Sequence, residues 1–141
     1  MVNKLATWPR YIKKKSETNH ISAFQDFYST VCDIIDTDIP KSVNGISFLP
    51  TLIGENQKKH NYLYWEIEGK GGQQAIRYGK WKGLKKNLNN GKQPLKLYNL
   101  ETDLKELNDV SEDYPKIVDN LEILLKKPLQ LERLSQKMKL K

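Results

Sequence analysis

The chain contains 141 residues, a length that suits one domain or a single subdomain. Of these residues 38% are apolar and 29% are charged, a globular composition that excludes a disordered chain. The net charge of +7, carried by short runs of lysine, favours anionic partners in general and selects none of them. A single cysteine, Cys32, excludes an internal disulfide and a thiolate zinc site, and two histidines are too few for a histidine-rich metal site.

The N-terminal segment, residues 2–8, predicts a short strand that Pro9 ends, because proline cannot donate a hydrogen bond to a sheet. Its apolar stretch is too short for a secretion signal, and no segment approaches the roughly 20 apolar residues that span a bilayer. As written, the sequence therefore predicts a cytoplasmic protein.

A helix is predicted over residues 22–36, with Ser22 and Gln25 at the spacing of a capping box. Apolar residues follow at helical spacing, which predicts one stripe that docks on a core. The stripe comprises Phe24, Phe27, Tyr28, Val31, Ile34 and Ile35. Cys32 lies on the same pattern and is interpreted as a small buried residue. Residues 46–53 predict a turn and a short helix that ends at Gly54, followed by an exposed polar segment, residues 55–61.

The second half of the chain predicts strands over residues 62–67, twice within residues 74–86 with a break at Gly79, and over residues 95–100. A helix is predicted at about residues 112–126, with Pro115 in its first turn. The predicted fold class is therefore α+β, a small antiparallel sheet packed by a C-terminal helix. Residues 128–141 form a basic tail.

Two sequence blocks in the first half carry a recognisable pattern. Leu-Ala-Thr-Trp-Pro at residues 5–9 is followed by a polar loop and by the segment His-Ile-Ser-Ala-Phe-Gln-Asp-Phe at residues 20–27. Asn-Gly-Ile-Ser-Phe-Leu-Pro-Thr-Leu-Ile-Gly then occupies residues 44–54.

Two further blocks follow in the second half. Ala-Ile-Arg-Tyr-Gly-Lys-Trp-Lys stands at residues 75–82, and Leu-Tyr-Asn-Leu-Glu-Thr-Asp-Leu-Lys-Glu-Leu-Asn stands at residues 97–108. In this order and spacing, the four blocks resemble the C-terminal portion of arylsulfatase-type sulfatases, over residues 2 to about 125. Asp26 matches the aspartate of the D-x-x-P-T segment of that family, in which Ser29 replaces the proline.

The resemblance implies a parent enzyme that hydrolyses a sulfate ester with a formylglycine nucleophile and a calcium ion. Both belong to a region upstream of residue 1, so the sequence predicts no catalytic residue, no metal ligand and no cofactor in this chain. Cys32 precedes Asp-Ile-Ile-Asp and does not match the formylglycine motif. The missing N-terminal sulfatase domain is the implied partner, and the parent enzyme would bind a sulfated sugar or an aryl sulfate. The isolated chain is expected to be inactive and to self-associate. Parent enzymes are usually exported or lysosomal.

The resemblance also implies that the C-terminal portion contributes substrate-recognition residues beside the cleft. Glu66, Arg77 and His20 are the candidates, since a guanidinium suits a sulfated or acidic sugar. The alternative is that Arg77 is a solvated strand residue with Glu66 as its cross-strand partner. Residues 1–54 are interpreted as part of the sulfatase α/β domain, and residues 62–127 as the C-terminal subdomain.

Two other functions stay open at this point. The first is a separate basic binding module for nucleic acid or a sulfated glycan, because aromatic residues lie among lysines on the predicted strands. These residues are Tyr62, Tyr64, Trp65, Tyr78 and Trp81. The second is a remnant reading frame without a function.

Overall fold

The structure is a computed structural model that describes residues 4–69, 71–91 and 93–126. These residues belong to two units, Met1–His60 and Asn61–Lys141. The basic tail predicted at residues 128–141 lies outside the described residues.

The first unit contains two helices, α1 at Gln25–Ile34 and α2 at Leu49–Ile53. The short helix α2 ends at Gly54, whose φ of 83° lies in the left-handed region that glycine adopts without strain. The short helix predicted after a turn within residues 46–53, with its end at Gly54, is therefore confirmed.

The strand predicted over residues 2–8 is not formed at residues 4–8, the part that the structure describes. A strand needs a hydrogen-bonded neighbour, and the sheet that the structure describes pairs only strands of the second unit. Leu5 is fully exposed, so its side chain does not anchor this segment to a core.

Helix α1 buries its polar side rather than the predicted apolar stripe. Its buried residues are Asp26, Ser29, Thr30 and Cys32, which confirms the burial of the cysteine. The apolar stripe faces away from the rest of its unit, and Phe24 at its start is 91% exposed. The stripe therefore docks on no core among the described residues, and its burial against the missing sulfatase domain stays a prediction.

The second unit is a four-stranded antiparallel sheet in the order β1-β2-β3-β4. Its strands are β1 at Leu63–Ile67, β2 at Gln73–Tyr78, β3 at Trp81–Lys86 and β4 at Lys96–Asn99. A third helix, α3, runs from residue 115 to residue 126, the last described residue. The α+β fold class is confirmed.

The core of the second unit lies between one face of the sheet and α3. Five buried side chains form it, namely Ile76, Leu95, Leu97, Leu121 and Leu125. Gly83 of β3 faces this core, and a Cβ atom there would lie 3.1 Å from Leu121 Cδ1. Glycine at this position therefore lets α3 approach the sheet closely.

The outer edge of β4 is covered by the loop that follows it. Leu97 N–H donates to Asp109 Oδ1 at 3.0 Å, and Val110 N–H donates to Leu97 O at 2.9 Å. Further along the loop, Asn108 N–H donates to Asp103 Oδ2 at 2.8 Å, and backbone N–H groups lower the pKa of Asp103. The fourth sequence block thus encodes a loop that protects a sheet edge.

Candidate functional site

The centre of the first unit is the carboxylate of Asp26, whose side chain is fully buried. Oδ2 accepts the N–H of Ala23 at 2.7 Å, and Oδ1 accepts the N–H of Ile46 at 2.9 Å. His60 Nε2 lies 2.8 Å from Oδ1 and must carry the proton, because a carboxylate only accepts hydrogen bonds. One side chain thereby joins the start of α1, the segment before α2, and the end of the unit.

The predicted capping box at the start of α1 is wrong. The structure shows no side-chain hydrogen bond at the N-cap of α1, and the acceptor for Ala23 is Asp26. Ser22 Oγ instead accepts a hydrogen bond from Lys4 Nζ. Asp26 lies in the first turn of the helix and reaches back to the N–H of a residue that precedes the N-cap, Phe24.

His20, one of the predicted site residues, lines an open depression of the first unit with a volume of about 570 Å³. The depression lies between the loop of residues 11–20 and the segment of residues 51–59. Partial burial lowers the pKa of His20 from its ordinary value; Asp26 opposes this effect, while His60, Lys4 and Lys59 add to it.

Gln57 rigidifies one wall of this depression by using both ends of its amide. Its Oε1 accepts the N–H and the hydroxyl of Thr51 at 3.1 and 2.9 Å. Its Nε2 donates to the carbonyls of Ser47 and Lys58, both at 2.8 Å. The segment after α2, predicted to be an exposed polar stretch, is therefore tied down through partly buried side chains at Gln57 and His60.

Glu66 lies on β1, on the side of the sheet that faces α3, and its backbone pairs with Gln74. Its carboxylate accepts the hydroxyl of Tyr64, and the amide Nε2 of Gln74 donates to it at 3.0 Å. The Glu66 carboxylate is exposed yet held in place by two donors.

Arg77 pairs with Leu63 of β1 and Lys82 of β3, on the opposite face of the sheet from Glu66. Its Nε donates to the carbonyl of Gly79 at 3.3 Å. The pairing of Glu66 with Arg77 considered above is therefore wrong, and the structure does not bring these two candidates together.

The aromatic residues of the strands do not form a continuous stacking surface in the described part of the chain. Tyr62, Tyr64 and Trp81 pack against the core of the second unit. Trp65 and Tyr78 are exposed, at 38% and 42%, but alternation along the paired strands places them on opposite faces. The residues that motivated a nucleic-acid module are thus core residues or are separated by the sheet.

The described residues do not fit the calcium ion and the formylglycine that the resemblance implies for the parent. They contain no group of three or more histidine, cysteine, aspartate or glutamate side chains that could hold a metal ion. Cys32 is buried, and its sequence context does not match the formylglycine motif. None of the helices in this part of the chain has the length and apolar character that crossing a bilayer requires.

A family model described as "N-sulphoglucosamine sulphohydrolase, C-terminal" matches residues 2–136 of the chain. The chain belongs to this family. The resemblance inferred from the four sequence blocks is therefore confirmed, and the two units together are a sulfatase C-terminal domain.

Three relatives show what this sulfatase C-terminal domain is similar to. The ulvan-active sulfatase of Formosa agariphila is 35% identical over 60 residues, which are 43% of this chain and 12% of the relative. The crystal structure of Ps i-CgsB is 27% identical with a TM-score of 0.71, over 85% of this chain and 27% of that one. A 2-O GAG sulfatase is 26% identical with a TM-score of 0.63, over 80% of this chain and 26% of that one. The domain therefore spans about a quarter or less of these relatives.

Sequence reasoning missed His60 and Gln57 as parts of the first unit's framework. Asp26 was identified through the family pattern, but two of its three donors, Ile46 and His60, lie 20 and 34 residues away in the sequence. The sequence feature that could have indicated their role is the presence of one glutamine and one histidine in a stretch that otherwise consists mostly of lysine and asparagine.

Proposed function

We propose that this sulfatase C-terminal domain works as part of a sulfuric ester hydrolase, next to an N-terminal α/β domain that supplies catalysis. The nucleophile and the calcium ion of the family would belong to that domain, since the described residues fit neither. The present chain would contribute structure and substrate contacts, and by itself it would hydrolyse no sulfate ester.

The exposed apolar face of α1 is the observation that carries this proposal. Phe24, Phe27 and Ile35 are exposed at 91%, 59% and 62%, although the helix is well formed. Burying a large apolar side chain contributes roughly 1.5–3 kcal/mol, so a domain gains little from leaving a row of them in water. Contiguous apolar patches of this kind mark interaction surfaces. The proposed occupant is the N-terminal α/β domain of the same enzyme.

Sulfated saccharides are the proposed substrate class. The relatives named above include an ulvan-active sulfatase and a 2-O GAG sulfatase, and Ps i-CgsB has been crystallised with k-i-k-neocarrahexaose. Arg77 and His20 are proposed to contact the sulfated sugar, and Glu66 to accept hydrogen bonds from its hydroxyl groups. The opposite faces of Glu66 and Arg77 mean that they would meet different parts of a substrate.

The solution behaviour of the isolated chain tests the docking face. The wild-type chain is expected to self-associate and to bind a hydrophobic dye, and Phe24→Glu with Ile35→Glu is expected to suppress both. The matched control is Leu107→Glu, because Leu107 is 75% exposed and lies outside α1. Light scattering and dye fluorescence give the readouts.

A monodisperse wild-type monomer that binds no dye would contradict the proposal, especially if hydrogen exchange showed uniform protection from residue 4 to residue 126. An equal effect of the Leu107 variant would also contradict it, since the association would then not depend on α1.

A further inference from the structure

We propose that the depression around His20 in the first unit is a binding subsite for a sulfated saccharide, a proposal that rests on the proposed function and extends it. The depression lies wholly within the first unit and has a volume of about 570 Å³, near the range of small-molecule sites in proteins. Three features support a sugar ligand: walls held by hydrogen bonds, one exposed tyrosine, and charged groups of both signs.

The wall formed by residues 51–59 is held by Gln57, whose amide makes four hydrogen bonds. The opposite wall is held by local bonds within the loop of residues 11–20. Ser16 Oγ donates to the carbonyl of Lys13 at 2.8 Å, and the N–H of His20 donates to Thr18 Oγ1 at 3.1 Å. Bonds of this type order a loop before a ligand arrives, which lowers the entropic cost of binding.

Tyr11 provides the aromatic surface of the depression. It stacks on Trp8 with ring centroids 4.2 Å apart and planes at 28°, and its N–H donates to the carbonyl of Trp8 at 3.1 Å. Tyr11 is nevertheless 59% exposed. A fixed and exposed tyrosine ring has an apolar face for a pyranose ring and a hydroxyl for hydrogen bonding.

The charged lining of the depression suits a sulfated saccharide better than a small inorganic anion. Lys13, Lys59 and His20 supply donors for sulfate oxygens, and the carboxylates of Glu17 and Glu55 can accept hydrogen bonds from sugar hydroxyl groups. The sugar–phosphate backbone of DNA has no free hydroxyl groups within the chain for these carboxylates to accept, whereas a saccharide has several. The mixture therefore favours a ligand with separated sulfate and hydroxyl groups.

The charged groups around His20 make the pKa of this histidine a measurable indicator of ligand binding. The groups that act on His20 are Asp26, which favours the imidazolium, and His60, Lys4 and Lys59, which disfavour it; Glu17 and Glu55 lie in the same lining. A bound sulfate would add a negative charge beside the ring, so the pKa of His20 is expected to rise when the saccharide binds.

The experiment follows the His20 ring signals of the full chain by NMR in about 150 mM salt. The probes are a heparin tetrasaccharide, the same tetrasaccharide after desulfation, inorganic sulfate, and a single-stranded DNA of equal charge. We expect the sulfated tetrasaccharide to shift the His20 signals and raise the pKa of His20, and the other three to bind more weakly. Lys59→Gln and Tyr11→Ala should each weaken binding about tenfold. Lys41→Gln, an exposed lysine outside the depression, should change it less than twofold.

Unchanged His20 signals with the sulfated tetrasaccharide would overturn the proposal, and so would equal weakening by Lys41→Gln. Equal binding of the DNA would show a general polyanion surface and would also overturn it. None of these results bears on the family or on the need for an N-terminal domain. Conversely, sulfate ester hydrolysis by the isolated chain would refute the proposed function and leave the saccharide result standing.

Discussion

Replacing Asp26 by asparagine preserves the size of the side chain but removes its charge and one of its two acceptor oxygens. In the structure Oδ2 accepts the N–H of Ala23, while Oδ1 accepts the N–H of Ile46 and the Nε2–H of His60. Whichever way the new amide is oriented, its NH₂ group faces at least one N–H donor. The substitution therefore leaves at least one donor in a buried place without an acceptor.

The expected loss follows from the number of bonds and their burial. A hydrogen bond to a charged group contributes about 1.5–3 kcal/mol, and a buried donor without an acceptor costs about 1–3 kcal/mol. These two quantities overlap, so we expect Asp26→Asn to lower the free energy of unfolding by about 2–4 kcal/mol. Asp26→Ala leaves all three donors unpaired and should cost about 3–5 kcal/mol, a large part of the 5–15 kcal/mol of a typical domain.

Urea unfolding and residue-resolved hydrogen exchange measure this effect together. Exchange protection of the Ala23 and Ile46 amides should fall in both Asp26 variants, because these amides lose their acceptor. Asp33→Asn is the matched control on the same helix, since among the described residues the Asp33 carboxylate accepts a single exposed hydrogen bond, from the hydroxyl of Ser47 at 2.6 Å. It should cost less than about 1 kcal/mol. An Asp26→Asn chain with the urea midpoint and amide protection of the wild type would refute the reasoning.

Three further predictions concern single positions. Gly83→Ala should lower the free energy of unfolding by about 1–3 kcal/mol, because its Cβ would meet Ile76, Leu95 and Leu121 at 3.0–3.1 Å. The control is Gly69→Ala, whose nearest contact would be at 4.0 Å; it should change the free energy of unfolding by less than about 0.5 kcal/mol in the same denaturation assay. Ser29→Ala should leave thermal stability unchanged or raise it by up to about 1 kcal/mol, because the buried Oγ has no partner among the described residues; a clear loss would show that this hydroxyl is bonded. The pKa of His20 in the folded chain lies below its ordinary value of 6.5. As the pH falls below about 6.5, the unfolded chain therefore takes up a proton on this residue before the folded chain does. Stability should be full above about pH 6.5 and fall as the pH decreases. His20→Gln should reduce that fall between about pH 7 and pH 5, and an unchanged pH profile would contradict the assignment.

The sheet and its covering helix were predictable because each strand has its own local signal. The aromatic and β-branched residues of β1, the break at Gly79 and the proline at residue 115 all act within a few neighbours along the chain. The pairing of Glu66 was not predictable at the same level. It depends on register, and the register places Gln74, not Arg77, opposite Glu66.

Helix α1 shows what the spacing of apolar residues can and cannot predict. Its periodicity correctly indicates a helix with one apolar stripe, but periodicity cannot say which partner covers that stripe. The buried side is determined instead by Asp26 and by the approach of Gly45, where a Cβ atom would lie 2.3 Å from the carbonyl oxygen of Gln25. Both are long-range contacts, with donors and backbone from 20 or more residues away.

The candidate site likewise contains one residue that the sequence indicated and others that only the structure brings to it. His20 was singled out by its place in a sequence block, and the structure places it in a depression, whereas Tyr11 and Lys59 join it only because two distant loops meet. No spacing rule relates residues 11 and 59. Only the three-dimensional structure shows that these two residues lie close together, so the sequence alone could not predict the saccharide subsite.

The most direct test of the central proposal is the turnover of a chromogenic aryl sulfate by the purified 141-residue chain, with and without added calcium. We expect no turnover above the rate of the buffer blank in either condition, because the groups for nucleophilic attack and for holding a metal ion would reside in another domain. Turnover that remains through purification, and is abolished by His20→Gln or Cys32→Ser, would contradict it.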